Sequence, residues 1–350
     1  MPPVSLDEIK LRLGFGTYGS SGAYEEAIDA KQHAQILKTG YDHGLRIIDT
    51  AMAYGKTFGE SERTLGVALQ ELFAEGICTR EDLFLTTKCG ISPEFTVVTT
   101  TEEIFTSCTT SLKNLQTSYV DIFWLHRVDP QASLESAAQA LSALIDQGKI
   151  RAVGLSEVDE DTIRAFRKAM AARNKEQYFV AVQFEYSLTN RHLGAALLSV
   201  CRELALTVFA FSPLVKGFLT EKTQRYPHEI FQSAQGRQLC PQLSLAHKKE
   251  NLALFEALKK LASEAGCSIA QLALAWLIKQ DVIPLISTRT EKHLIENILA
   301  QRYIDQLPKI LEPETLLERP KDFVMHGSRR NDFIAALAPQ VGRYSPTPRP

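Results

Sequence analysis

Short apolar runs alternate with segments of helical periodicity along most of this chain. The runs are continuous rather than alternating between apolar and polar residues, which is typical of parallel strands buried on both faces. Eight such runs lie at 11–17, 46–51, 83–88, 120–127, 150–157, 179–187, 206–213 and 282–287. Eight strands separated by helical segments predict an α/β protein with a closed (β/α)8 TIM barrel rather than an open sheet.

The segments between the runs carry their own helix signals. Over 133–148 the apolar positions recur at the period of one helix face, and Ser133 is a predicted N-cap. Thr100 and Glu103 form a predicted capping box before another helix. Segment 268–280 is apolar on nearly all sides, which predicts a buried helix.

Three features depart from the regular repeat. GFGTYG at 14–19 fits the glycine pattern of a doubly wound sheet, the alternative fold, but no helix follows it directly. Segment 215–245 is polar without periodicity, which predicts a long functional loop over the C-terminal mouth of the barrel. We expect a single domain over 1–350, with a core at about 11–300 and a C-terminal extension at 301–350. The extension's end, GRYSPTPRP, is expected to form an irregular strap or to be partly disordered.

Composition narrows the class of protein. The 350 residues are 45% hydrophobic and 23% charged with a net charge of −2, so neither a disordered chain nor a nucleic-acid partner is expected. No apolar stretch has the length of a membrane span and the N-terminus lacks a secretory signal, which predicts a cytoplasmic protein. The six cysteines are scattered without paired spacing, which predicts reduced thiols and no metal site.

Polar residues stand at or just beyond the ends of the second, third and fourth predicted strands. They are Asp49, Tyr54, Lys88 and His126. Each alone fits an ordinary role such as a cap, a surface aromatic, a solvated lysine or a core histidine. Together they lie at the end of the barrel where active sites occur. We expect the lysine to lower the pKa of the tyrosine, the carboxylate to hold the lysine, and the histidine to orient a carbonyl. The set offers no obvious nucleophile, so hydride from a bound cofactor is the expected companion.

These residues lie in segments that resemble the aldo-keto reductases. The segments are IIDTAMAYG, GESERTLG, TTKCG and WLHRVDP, together with LGFGTYG, VGLSEV, AVQFEYSL, FAFSPLVKGFLT and HLIENILA. The resemblance covers about residues 11–300. HRVDP, GLSE and SPLVKGFL are most similar to the branch that contains the perakine-reductase-like enzymes.

The resemblance implies a role for each matching residue. Tyr54 would be the general acid, Asp49 and Lys88 its partners, and His126 the residue that orients the carbonyl. The cofactor would be bound by Gly16, Thr17, Ser156, Gln183, Phe211, Ser212, Leu214, Lys216, Gly217, Ser287, Arg289, Glu296 and Asn297.

Within that set the resemblance separates the two ends of the cofactor. Ser156 and Gln183 would hydrogen-bond the nicotinamide carboxamide, and Phe211 would stack on its ring. Arg289 is the first candidate for a 2′-phosphate contact and Lys292 the second, which favours NADP(H) over NAD(H).

We therefore expect NADPH-dependent reduction of an aldehyde or ketone, a small-molecule carbonyl substrate. The alternative is a cofactor-binding regulatory subunit with weak or no turnover, because the family includes channel β-subunits of that kind. An intact set of four polar residues favours the enzyme. A third hypothesis, an unrelated barrel with a phosphate site, would need glycine-rich loops after the last two strands. No motif names the substrate or the oligomeric state.

Overall fold

Eight parallel strands form a closed barrel in chain order. The computed structural model describes residues 9–191, 194–231, 240–319 and 321–328, together with Val4 and Leu6. The strands are β1 (Gly14–Gly16), β2 (Ile47–Asp49), β3 (Phe84–Cys89), β4 (Val120–Leu125), β5 (Ile150–Ser156), β6 (Phe179–Glu185), β7 (Thr207–Phe211) and β8 (Val282–Ile286). Each pairs with the next, and β8 closes on β1 with Leu285 opposite Gly14. The predicted (β/α)8 barrel is confirmed, and the doubly wound alternative is wrong.

Large apolar side chains fill the barrel interior. Trp124 on β4 is fully buried and meets Phe209 on β7 edge to face, with ring centroids 5.2 Å apart. Gly154 on β5 stands opposite Trp124, where a Cβ atom would lie 2.2 Å from the indole. The remaining interior residues include Ile47, Phe84, Ile122, Ala152, Ala181, Ile283 and Leu285. Trp124 is thus a core residue.

The helices pack their apolar faces on the outside of the strands. They are α1 (Ala30–Asp42), α2 (Glu60–Ala74), α3 (Thr101–Asn114), α4 (Leu134–Asp146), α5 (Glu160–Ala171) and α6 (Gly194–Glu203). After β7 come α7 (Glu221–Arg225), α8 (Pro227–Phe231), α9 (Lys248–Glu264) and α10 (Ile269–Ile278), and after β8 come α11 (Glu291–Ile298) and α12 (Pro313–Glu318). The second, larger apolar cluster of the molecule lies between this layer and the barrel.

The predicted helix signals act where expected. Ser133 caps α4 by accepting the N–H of Ser136 at 3.2 Å, and α10 is buried along nearly its whole length, as predicted. The box predicted at Thr100 is half present, because Thr100 accepts the Glu103 N–H while the Glu103 carboxylate accepts from the Ser107 hydroxyl.

The segment that follows β7 is more regular than its sequence suggested. It contains α7 and α8 as well as 3-10 turns at Pro241–Leu243 and Leu245–His247. The prediction of 215–245 as a loop without secondary structure is therefore wrong in part, and 232–239 lie outside the described residues. Thr220 caps α7 by accepting the N–H of Lys222. This cap stabilises α7, a helix that is too short for a repeating apolar face to be visible in the sequence.

The described part of the C-terminal extension packs back onto the barrel helices. Residues 321–328 run beside the start of α9, where Asn251 accepts the His326 N–H at 2.8 Å and donates to the His326 carbonyl at 3.1 Å. The N–H of Gln242 donates to the Ser328 carbonyl at 3.1 Å. We call residues 321–328 the C-terminal strap. The predicted irregular end, GRYSPTPRP, lies outside the described residues.

The structure also bears on the expectations drawn from composition. Five of the six cysteines are buried, Cys267 is half-buried, and all six are free. Within the described ranges no single helix is long and apolar enough to cross a membrane. By length and composition alone, the pair Leu245–Glu264 and Ile269–Ile278, bent by 79°, passes the same test. In those residues no cluster of three or more His, Cys, Asp and Glu side chains is placed to hold a metal ion.

Candidate active site

A cavity of about 1150 Å³ opens at the C-terminal ends of the strands. Its wall takes residues from the C-terminal ends of β5 and β6 and from the loops that follow the other six strands. Every predicted site residue lines it except Thr17 and Lys88. Since the carboxyl ends of barrel strands meet at one mouth, positions far apart in the chain are brought together there.

Asp49, on the cavity wall, forms a buried ion pair with Lys88, which lies behind it. The Lys88 ammonium donates to the Asp49 carboxylate and, at 2.8 Å, to the carbonyl of Thr50. The carboxylate also accepts from the hydroxyl of Thr86 at 2.7 Å and from the amide of Gln183 at 3.2 Å. Burial lowers the pKa of Lys88, and the charge of Asp49 opposes that shift. Both charges therefore have the partners that a buried pair requires.

Tyr54 lies over this pair, between Tyr18 and His126. Its ring centroid is 4.8 Å from the Lys88 Nζ atom, 4.9 Å from the Tyr18 ring and 5.7 Å from the imidazole of His126. Burial raises the pKa of Tyr54 well above its ordinary value, and the charge of Asp49 adds to the shift. This direction is opposite to the expected lowering, because burial of the ring dominates the shift. Tyr54 keeps its proton at neutral pH.

His126 follows the last residue of β4 and is 9% exposed. Burial lowers its pKa well below the ordinary value, and the charges of Arg127 and Lys88 lower it further. The imidazole is therefore neutral at neutral pH and can donate a hydrogen bond to a carbonyl oxygen. Arg127 also lines the cavity, and sequence reasoning missed it although it is the next residue in the chain.

The ends of β5 and β6 supply adjacent amide and hydroxyl groups. Ser156 and Gln183 are register partners, and both are 1% exposed. The Ser156 Oγ atom is buried without a hydrogen-bond partner among the described residues. A buried hydroxyl in that state is suited to a ligand that completes it. The carboxylate of Glu157, the next residue, accepts the backbone N–H of Glu185 at 2.9 Å.

The chain turns sharply after Phe211, which is half-buried on the cavity wall. Ser212 and Lys216 adopt positive φ angles of 51° and 56°, which are uncommon for residues other than glycine and cost conformational energy. The turn carries the Lys216 ammonium to 3.8 Å from the Glu185 carboxylate. Burial alone would lower the pKa of Lys216, but the Glu185 carboxylate, together with smaller contributions from Cys240, Tyr24 and Tyr18, raises it.

The opposite end of the cavity is built by the segment after β8. Ser287, Arg289, Glu296 and Asn297 line it, as do Thr288 and Lys292. The Arg289 guanidinium pairs with Glu25 at 2.6 Å, and the amide of Gln32 donates to the Arg289 carbonyl at 3.0 Å. Glu25 was absent from the sequence prediction because its partners are distant in the chain and no local pattern marks it.

Thr17 is separated from the cavity wall. Its hydroxyl lies in a fully buried cluster, where it donates to Thr50 at 2.9 Å and accepts from Ser61 at 2.8 Å. The backbone N–H of Thr17 donates to the Asp49 carbonyl at 2.9 Å. Its side chain therefore links β1 to the loop after β2 instead of facing the cofactor as predicted.

The structure is thus a closed (β/α)8 barrel with Tyr54, His126 and a buried Asp49–Lys88 pair at its mouth. A family model described as "Aldo/keto reductase family" matches residues 12–307. The chain belongs to the aldo/keto reductase family. "Probable aldo-keto reductase 1" of Glycine max is 32% identical over 295 residues, which are 82% of this chain and 80% of that protein.

Solved structures show the same fold. An aldo-keto reductase from Klebsiella pneumoniae in complex with NADPH has a TM-score of 0.63 at 24% identity, covering 91% of this chain and 94% of that one. The glycerol dehydrogenase AKR11B4 from Gluconobacter oxydans has a TM-score of 0.70 at 23% identity, covering 97% of this chain and 94% of that one. The perakine-reductase-like branch stays a prediction.

Proposed function

We propose that this protein is an NADP(H)-dependent enzyme that reduces the carbonyl group of a small aldehyde or ketone to an alcohol. The observation that carries the proposal is the placement of Tyr54 and His126 beside the buried Asp49–Lys88 pair, at the wall of a cavity of about 1150 Å³. The NADPH bound by the Klebsiella relative supports the choice of cofactor. The free, mostly buried thiols support the predicted cytoplasmic location.

The cavity wall fits that cofactor along its length. Ser156, whose buried hydroxyl has no partner among the described residues, and Gln183 would hold the nicotinamide carboxamide. Phe211 offers a ring face for stacking. Gly16 also lies on this wall and is proposed to contact the cofactor. The other predicted wall residues would bind the phosphates and the adenine: Ser212, Leu214, Lys216, Gly217, Ser287, Arg289, Glu296 and Asn297. When bound, the cofactor supplies the hydride.

The chain's own residues would handle the proton. Tyr54 keeps its proton at neutral pH because its pKa is raised, so it can donate to the oxygen of the reduced carbonyl. His126 is neutral and would orient that oxygen by a hydrogen bond. The Asp49–Lys88 pair fixes the floor beneath the Tyr54 ring. The reaction thus needs no nucleophile from the protein.

The test is an assay in which the protein is given NADPH and a panel of aldehydes and ketones. Reduction is measured as the loss of absorbance of the reduced nicotinamide. Tyr54→Phe removes the proton donor and is expected to lower kcat by about 100- to 10,000-fold. Its affinity for NADPH, measured by fluorescence titration, should be retained. Tyr18→Phe is the matched control, because Tyr18 packs on Tyr54 and lines the same wall. This control should keep kcat within about threefold of the wild type.

The outcomes separate the hypotheses. Tight NADPH binding without turnover of any carbonyl compound would favour the regulatory-subunit alternative. Unchanged turnover in Tyr54→Phe would overturn the assignment of the acid. Absence of NADPH binding would overturn the assignment of NADP(H) as the cofactor.

A further inference from the structure

Glu25 lies in the loop between β1 and α1, at the phosphate end of the cavity. Its side chain is 36% exposed, and its carboxylate bonds two cations from different loops. One is Arg289 after β8, whose guanidinium Nη1 atom is 2.6 Å from Glu25 Oε2. The other is the ammonium of Lys222 on α7. One carboxylate therefore joins three loops across the cavity entrance.

The contact between Glu25 and Arg289 is an ion pair, and it occupies the guanidinium that the 2′-phosphate of NADP(H) would need. Burial alone would raise the pKa of Glu25, but hydrogen bonds from Lys222 and Arg289 lower it, so the group is ionised at neutral pH. A guanidinium binds either carboxylate or phosphate through the same donors. A phosphomonoester that approaches Arg289 thus meets a carboxylate already in place, and the two negative charges repel.

We propose that Glu25 determines cofactor specificity by competing with the 2′-phosphate for Arg289. Without cofactor the carboxylate holds Arg289 and Lys222, and the phosphate of NADP(H) has to displace it. A cofactor that carries a ribose hydroxyl at this position meets no such repulsion, because a hydroxyl can donate a hydrogen bond to a carboxylate. Glu25 therefore weakens the preference for NADP(H) over NAD(H) that Arg289 would otherwise give. This inference rests on the proposed cofactor site.

The experiment compares equilibrium affinities by isothermal titration calorimetry. The ligands are NADPH, NADH, and the fragments 2′,5′-ADP and 5′-ADP, which carry no nicotinamide. Glu25→Gln is expected to tighten NADPH and 2′,5′-ADP by about three- to tenfold, the size of a partly exposed charge interaction. NADH and 5′-ADP should stay within about twofold of the wild type.

The matched control is Glu221→Gln. Glu221 is a carboxylate on the same cavity wall, and its ion pair is with Arg225 at 2.9 Å. This variant removes one negative charge from the rim without touching Arg289, so every affinity should stay within about twofold. Arg289→Gln measures the phosphate contact itself and should weaken NADPH more than NADH. Thermal unfolding confirms that each variant is folded.

Three results would overturn the proposal. Weaker NADPH binding in Glu25→Gln would mean that the carboxylate stabilises the bound state. Equal changes for NADPH and NADH would remove the link to the 2′-phosphate, and unchanged affinities would show that Glu25 does not compete. A wild type that binds neither NADPH nor NADH contradicts the proposed function instead.

Discussion

The Asp49–Lys88 pair couples the chemistry of the site to the stability of the fold. In Lys88→Met the carboxylate stays buried without its counter-charge, which costs about 3–5 kcal/mol. We expect this variant to lose carbonyl reduction and to unfold at lower urea concentration, while its folded fraction keeps NADPH affinity. Circular dichroism in urea and the reduction assay measure the two effects.

The double variant Asp49→Asn/Lys88→Met is the control for the ion pair. It removes both charges, so part of the lost stability should return while activity stays absent. A Lys88→Met protein as stable as the wild type would show that the pair is not coupled to folding.

The pH dependence of reduction is expected to follow from the shifted pKa values of Tyr54 and His126, the two residues proposed to contact the carbonyl oxygen. The pKa of Tyr54 is raised above its ordinary 10.0, so its proton-donating form is lost only as pH rises through that higher value. The pKa of His126 is lowered below its ordinary 6.5, so the imidazole gains charge only as pH falls through that lower value. We expect kcat/KM at saturating NADPH to be flat between pH 6.5 and 10.0. An inflection inside that interval would contradict these assignments.

Site residues that stand at strand ends were predictable from sequence, and those that depend on distant partners were not. Asp49 and His126 each cap an apolar run, so their place at the barrel mouth follows from the strand itself. Glu25 acquires its role from Lys222 and Arg289, which are 197 and 264 positions away. The direction of the Tyr54 pKa also failed, because it is set mainly by how deeply the ring is buried, which sequence spacing does not give.

At the scale of strands, Gly154 lets β5 lie against the indole of Trp124. A Cβ atom added there would stand 2.2 Å from Trp124 Cε3, so either the indole or the strand must move. Gly154→Ala should lower the free energy of unfolding by about 1–3 kcal/mol, the usual cost of overpacking a core. Chemical unfolding and the fluorescence of Trp124 are the measurements.

A smaller aromatic ring at position 124 tests whether the loss of stability comes from a clash between the new methyl group and the indole. Trp124→Phe shortens the ring that the new methyl group meets, so the double variant should be less destabilised than the sum of the two single variants. Additive losses would show that the two residues do not interact.

Long elements were predictable and very short ones were not. α4 spans 13 residues and repeats its apolar face several times, so the periodicity was visible in the sequence. α7 and α8 have five residues each, little more than one turn, which is too short for an apolar face to recur. The strand runs were found because eight continuous apolar stretches are rare outside buried parallel sheets.

At the scale of the whole molecule, Asn251 at the start of α9 anchors the C-terminal strap to the barrel helices. It is fully buried, makes both backbone contacts with His326, and donates to the Gln242 carbonyl at 2.8 Å. Asn251→Ala removes the partner of the buried Gln242 carbonyl and of the partly buried His326 backbone groups, at a cost of about 1–3 kcal/mol. We expect faster cleavage within 321–328 in limited proteolysis while the barrel stays intact.

The exposed neighbour Glu250 supplies the control for the strap. Glu250→Ala should leave the cleavage rate unchanged, because surface substitutions usually stay within about 0.5 kcal/mol. Equal cleavage in the Asn251→Ala protein and the wild type would show that other contacts fasten the strap.

Closure of β8 on β1 also governs the order in which the protein becomes functional during synthesis. Leu285 reaches Gly14 only after most of the chain has left the ribosome, and the cavity-lining segment 287–297, proposed to bind the adenosine, follows still later. Until then a nascent chain exposes the unpaired edges of β1 and β7, which are ready templates for pairing with other chains. The newborn protein therefore depends on protection of these two edges, and cofactor binding can begin only when its last strand is in place.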